Sequence, residues 1–132
     1  MSEDYHKSIY SYTDLDVYKR AYKLSIIVCT KLIIKLPKEE QFVLVDQLRR
    51  SFKAIPRLIA EGFGKKHQKK GFQKYLDDAI AENNETIVSL SHVRDIYHKC
   101  VNKSSIEKMI SEYEIVGKQL FRLKQSWNKF SQ

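Results

Sequence analysis

Glycine and proline are scarce in this chain, four and two among 132 residues. So few turn-forming positions favour a small number of long elements over a meander of short strands. The two cysteines, Cys29 and Cys100, lie far apart and fit neither a disulfide framework nor a zinc motif. No window approaches the ~18 uninterrupted apolar residues of a membrane span. The longest apolar region, Leu24 to Leu36, is broken by Lys31 and Lys35. The first residues carry Glu3 and Asp4 without the apolar core of an export signal. These absences lead to the expectation of a single-domain, cytoplasmic protein with no membrane partner, no metal and no cofactor.

Acidic residues are missing from one stretch. Between Arg49 and Lys74 the chain holds nine of its 24 lysines and arginines against a single acid, Glu61. The other 15 bases face 15 acids, so the net charge of +8 belongs to this segment. A neutral body with one strongly basic segment points to a polyanion as partner.

What is present in quantity is helical periodicity, in four long segments, with no sustained strand alternation. The first is expected from about Asp14 to Leu36, with Thr13 and Asp16 as a capping-box variant and Pro37 as its end. Its expected inner face is Tyr18, Ala21, Tyr22, Ser25, Val28, Cys29, Leu32 and Leu36, and further isoleucines widen the apolar arc. The second, roughly Glu39 to Glu61, repeats Val45, Leu48, Phe52, Ile55 and Ile59 in a heptad-like seam. Pro56 lies inside it and predicts a kink or a lost hydrogen bond near Phe52; Gly62 and Gly64 supply the stop.

The third helix, about Gln68 to His98, is expected to bury Phe72, Leu76, Ala79, Ile80, Ile87, Leu90, Val93 and Tyr97, with Asn83 as a polar residue on the same face. The fourth opens on Ser104 and Glu107, another capping box, and runs to about Trp127 through Ile106, Ile110, Tyr113, Val116, Leu120 and Leu123. Short connections favour antiparallel neighbours. The expected fold is all-α: an up-down-up-down four-helix bundle over residues 13–130, behind a polar arm of residues 1–12.

Arg49, Lys53 and Arg57 recur every four residues on one outward stripe of the second helix, with Arg50 beside them. Such a run alone is more often a solvated face. Lys65, Lys66, Lys69 and Lys70 then crowd the expected start of the third helix, followed by Lys74. Lysines there oppose the helix dipole, whereas a bound anion would be favoured by the dipole and the lysines together. Those nine basic residues are the expected nucleic-acid contacts, through backbone phosphates or RNA shape, since no base-reading helix is evident. Phe63 is open to either packing or base stacking. Glu61 is read as an ion-pair partner of the stripe.

Enzymatic constellations are poorly supported. A single Asp95-x-x-His98 is too little for a di-iron site. Helical RNases of the HEPN type resemble this architecture, but Arg94 and His98 have only three residues between them. The expected protein is therefore not an enzyme, with a HEPN-like RNase as the minor alternative.

Several short motifs in order carry a family resemblance. They are Tyr12-Thr13-Asp14-Leu15 with Val17-Tyr18, Pro37 to Glu40, Gln47-Leu48-Arg49-Arg50, and Ala54-Ile55-Pro56-Arg57-Leu58-Ile59-Ala60-Glu61-Gly62. Tyr75-Leu76, Ala79 and Glu85 follow. Over about residues 12 to 100 the chain resembles the four-helix-bundle proteins encoded in 23S rRNA intervening sequences. It departs from their pattern at Ala54 (usually Ser), Leu58 (usually Asn) and Ala81-Glu82 (usually Gly-Ser). The resemblance implies a homo-oligomer, typically a pentameric ring, and no established enzymatic activity. The family is also similar to the accessory variability protein of diversity-generating retroelements, which binds nucleic acid and a reverse transcriptase. The expected partners are thus nucleic acid, RNA rather than DNA, and further copies of the chain. A structural or adaptor oligomer that meets an acidic protein or a reverse transcriptase is the alternative.

Overall fold

The structure, a computed structural model, describes residues 9–130, with side chains as far as Trp127. Four α-helices make up most of it: α1 (Asp16–Lys31), α2 (Leu44–Gly64), α3 (Gly71–Ile96) and α4 (Lys103–Phe130). No strand occurs among the described residues. Helix α3 packs on α2 and α4, and α1 closes the ring against those same two. The result is the expected antiparallel four-helix bundle.

The seam residues predicted for α2 and α4 are all buried, from Val45 to Ile59 and from Ile106 to Leu123. In α3 the core register is Phe72, Leu76, Ala79, Asn83, Thr86, Leu90 and Val93, alternating four and three as a heptad does. Ile80, Ile87 and Tyr97 lie at its margin, only partly buried. The expected face of α1 holds in part: Ala21, Ser25, Val28, Leu32 and Leu36 are buried as predicted. Val17, Leu24 and Ile33 are buried, whereas Tyr22 is 51% exposed and Tyr18 and Cys29 are half-buried. Tyr18 and Tyr22 stack at 6.0 Å, Tyr18 against the core and Tyr22 on the exposed side.

Helix ends account for the other differences. Leu36 precedes a proline and is extended (φ −84°, ψ 148°), so α1 cannot run up to it. It stops at Lys31 and the chain tightens into a 3-10 turn, Ile33–Lys35. A second such turn, Lys38–Glu40, follows Pro37, and α2 begins only at Leu44. The Tyr97 hydroxyl donates to Glu40 and ties this connection to the end of α3. At the other end, the capping box lies upstream of the expected one. Ser11 Oγ accepts from Thr13 N at 3.2 Å, and Asp14 accepts from Tyr10 and Ser11 N at 2.9 and 3.0 Å. Helix α4 is capped by Asn102, whose Oδ1 accepts from Ser105 N at 3.0 Å, rather than by Ser104.

Of the expected arm, Ile9 and Tyr12 pack partly against the core, and residues 1–8 lie outside the described residues. Pro56 is buried inside a continuous α2; it has no N–H to give the Phe52 carbonyl, but the helix is not interrupted. Across the middle of the core runs a polar layer. Thr86 donates to Ser51 Oγ at 2.9 Å, and Asn83 Nδ2 donates to the Tyr113 carbonyl at 2.8 Å. A Cβ at Gly117 would sit 3.1 Å from that nitrogen, so the glycine leaves Asn83 its approach. Asn83 is 1% exposed, as its place on the apolar face predicted.

Candidate nucleic-acid interface

The basic segment divides between an α2 face and the turn that leads into α3. The turn, residues 65–70, is built by two glycines and a strained lysine. Gly62 lies in the last turn of α2 and is buried; a Cβ there would come within 2.6 Å of Tyr75 Cβ and 2.9 Å of Phe72 Cδ1. Its role is the close approach of α2 and α3 more than the stop predicted for it. Gly71 opens α3, and a Cβ there would fall 2.3 Å from the Lys65 carbonyl oxygen. Between them Lys70 holds φ 58°, ψ 14°, the left-handed region, and is the sole non-glycine residue with positive φ among the described residues. That conformation costs a side-chain-bearing residue ~1–2 kcal/mol.

This geometry corrects the dipole argument. Lys65 and Lys66 cap the C-terminus of α2, their amides donating to Gly62 O and Phe63 O at 2.9 and 3.2 Å. A helix C-terminus favours cations, so these two are at home there. Only Lys69, Lys70 and Lys74 stand at the positive end of α3. Beneath the turn, Phe63, Phe72 and Trp127 meet edge to face at 4.9–6.3 Å. Phe63 is 5% exposed and offers no face to a base, so its role is packing. Lys66 Nζ lies 4.3 Å from the Phe63 ring centre, and Lys65 Nζ 5.9 Å from that of Tyr75. Their stems cover the aromatic wall while the charges stay in water. Trp127 is the element the sequence reading missed: its place on the seam of the fourth helix did not reveal that it reaches the α2–α3 junction.

Arg49, Arg50, Lys53 and Arg57 are exposed on α2, as predicted, but acids surround them. Arg50 pairs with Asp46 at 3.5 Å and Arg57 with Glu61 at 3.2 Å, the latter the ion pair expected of Glu61. From α3, Glu82 and Glu85 complete an open groove of about 650 Å³ shared with all four bases. Burial, and then the neighbouring Glu85, raise the pKa of Glu82 above the ordinary carboxylate value, and Arg57 and Arg50 oppose the shift. By contrast, none of Lys65, Lys66, Lys69, Lys70 and Lys74 forms an ion pair among the described residues. Leu58, at the family's Asn position, packs against the core, and Ala54 is buried.

The residues of the minor RNase alternative, Arg94 and His98, lie at and just beyond the C-terminal end of α3. Arg94 is held by Asp95 at 2.8 Å, and His98 is exposed beyond the end of α3. No group of three or more metal-ligating side chains occurs among the described residues. No helix among them is long and apolar enough to cross a membrane.

An antiparallel four-helix bundle with a lysine-rich turn at one end is the class that the fold and the site define. The family model of the 23S rRNA-intervening sequence proteins matches residues 13–122, and the chain belongs to that family. Neither the curated proteins nor the solved structures gave a match.

Proposed function

We propose that this protein is a non-enzymatic, homo-oligomeric bundle that binds RNA through the lysines of the α2–α3 turn, with the α2 arginines as a secondary contact. The observation that carries this reading is the contrast in pairing. Five lysines within ten residues have no ion-pair partner among the described residues, and one of them occupies a strained backbone position that glycine would fill at no steric cost. The family's association with 23S rRNA intervening sequences is consistent with an RNA partner. Exposed apolar side chains on α1 and the following connection, among them Tyr22, Ile26, Ile34, Phe42 and Val43, supply the face on which further copies would assemble, a pentamer being the form the resemblance implies. Repetition of the turn around such a ring would give a multivalent basic surface.

The test is anisotropy of a labelled RNA hairpin and a single strand across a salt series. Neutralisation of ~4–6 phosphates gives a slope of log affinity on log salt near −3 to −4 for single strands. No binding at low salt, or binding unmoved by Lys65/Lys66/Lys69/Lys70→Glu, would sink the proposal. Light scattering with and without RNA reads the oligomer in the same samples. RNA recovered intact, with no difference between the parent and His98→Ala, separates this reading from the RNase alternative.

A further inference from the structure

On the opposite side of the bundle, α1 and α4 do not close completely. Two adjoining clefts, of about 520 and 280 Å³, run along their seam and share Leu24, Ile27, Lys108 and Glu112. Together they reach from Asp16 at the start of α1 to Lys35 beyond its end. The 16 residues of α1 alone make this trough ~24 Å long.

Its floor is apolar: Leu24, Ile27, Leu32, Ile106 and Met109. Its rims are cationic. Lys19, Lys23, Lys31 and Lys35 stand on one side and Lys108 on the other, all exposed. Two carboxylates line it, Asp16 and Glu112, and Glu112 is already engaged by Arg20 at 2.7 Å. None of the five lysines is in an ion pair among the described residues.

Nucleic acid is a poor match for this surface. Phosphates gain nothing from an apolar floor, and no aromatic ring lines the trough for a base to stack on. A small anion would likewise leave the apolar floor unused. An amphipathic helix meets both chemistries at once: an apolar stripe on the floor and acidic residues on its flanks against the four lysines of the α1 rim and Lys108 across from them. The lysine stems would extend the apolar contact as their charges meet the acids.

We propose that the α1–α4 trough is a docking site for an acidic amphipathic helix of about four turns, supplied by a protein partner. This site is separate from the α2–α3 turn and does not depend on the RNA reading.

Two intrinsic probes distinguish the sites. The chain has two methionines, Met1 and Met109, and one tryptophan, Trp127. Met109 is on the trough floor and Trp127 is against the lysine turn. The full-length protein, labelled with ¹³C at the methionine methyls, is titrated with a synthetic helix of about 18 residues, leucines on one face and glutamates on both flanks. The Met109 methyl resonance shifts saturably while Trp127 emission stays constant.

A scrambled peptide of the same composition binds at least tenfold more weakly. Lys31→Glu/Lys35→Glu/Lys108→Glu weakens the designed helix at least tenfold and leaves RNA binding unchanged; circular dichroism checks that this variant is folded. A silent Met109 methyl, or equal binding of the scrambled peptide, overturns the proposal. So does RNA that shifts the Met109 methyl in the peptide's place. Loss of self-association in the triple variant also overturns it, by assigning the trough to a second copy of the chain.

Discussion

The α2 stripe and the α2–α3 turn are both basic in sequence, yet they differ in what surrounds them in space. The stripe's charges recur every four residues on a helix, where the antiparallel neighbour can set carboxylates against them, and α3 does so with Glu82 and Glu85. No acid among the described residues pairs with the lysines of the turn, and two of them, Lys65 and Lys66, lie over aromatic rings instead. Charge density along a chain therefore overstates the stripe and understates the turn. Exposed i,i+4 pairs such as Asp46–Arg50 are worth only ~0.3–0.5 kcal/mol in stability. Their carboxylates nonetheless repel a phosphate wherever the arginine attracts one.

The largest expected effect separates the two regions directly. Each neutralised phosphate adds ~0.7 to the salt exponent for a single strand, about a factor of five at 0.1 M salt. Lys65/Lys66/Lys69/Lys70→Glu should then cost ~10²–10³ in RNA affinity and flatten the salt slope by about three. Arg49/Arg50/Lys53/Arg57→Glu should cost less, about tenfold, because acids already offset part of the stripe. Equal losses from the two quadruple variants would remove the distinction.

Next in size is the frame that brings the regions together. Gly62→Ala places a methyl 2.6 Å from Tyr75 Cβ, an atom that cannot rotate away, so α2 and α3 must separate. Overpacking of this kind costs ~1–3 kcal/mol, readable as a drop in the denaturant midpoint. Trp127 emission should change as well, because Phe63 and Phe72 would shift against the indole. An unchanged midpoint would mean that the junction is looser than the packing indicates.

A smaller effect has opposite signs in stability and binding. Lys70→Gly relieves the left-handed backbone and should stabilise the fold by about 1 kcal/mol. It also removes one cation of the turn and should weaken RNA about fivefold. A variant that gains stability without losing affinity would show that Lys70 is strained for some other reason.

Seam residues of α2 and α4 were legible in the sequence, since apolar periodicity and burial obey the same geometry there. So was Asn83, a polar residue at an apolar register position. The α1 face was legible only in part, because too many of its positions are apolar: Ala21, Val28 and Leu32 were placed correctly, but Tyr22 satisfies the period as well as Leu24 does, and only the placement of α2 and α4 decides between them. Helix ends were misplaced by two to five residues where a 3-10 turn or a pre-proline residue took the terminal turn, as at Leu36 and Pro37. The nine basic residues were found by counting. Their environment could not be, because Glu82 and Glu85 are about thirty residues from the stripe they face, and the lysine-rimmed trough draws its two walls from opposite ends of the chain.

The smallest expected effect tests whether those two carboxylates restrain the stripe. Burial, reinforced by Glu85, raises the folded-state pKa of Glu82 above its unfolded value near 4.5. The folded protein therefore holds that proton more tightly than the unfolded chain. Through this group, stability falls as pH rises from the unfolded value through the folded one, and is flat above and below that window. Asp14 and Asp95 act in the other sense. Backbone hydrogen bonds lower the first and the Arg94 side chain lowers the second, so the stability they contribute is lost as pH falls. Glu82→Gln should thus be more stable than the parent at pH 7 and indistinguishable from it below pH ~4, where the parent carboxyl is protonated in both states. Removal of the charge should also raise RNA affinity about twofold at 0.1 M salt, a screened Coulomb term at several ångströms. The gain should vanish in the Arg49/Arg50/Lys53/Arg57→Glu background, where no attraction is left to unmask, and persist in the lysine-turn variant. A gain that survives loss of the stripe would mean that Glu82 acts through the overall charge of the protein and not through the groove it shares with the four bases.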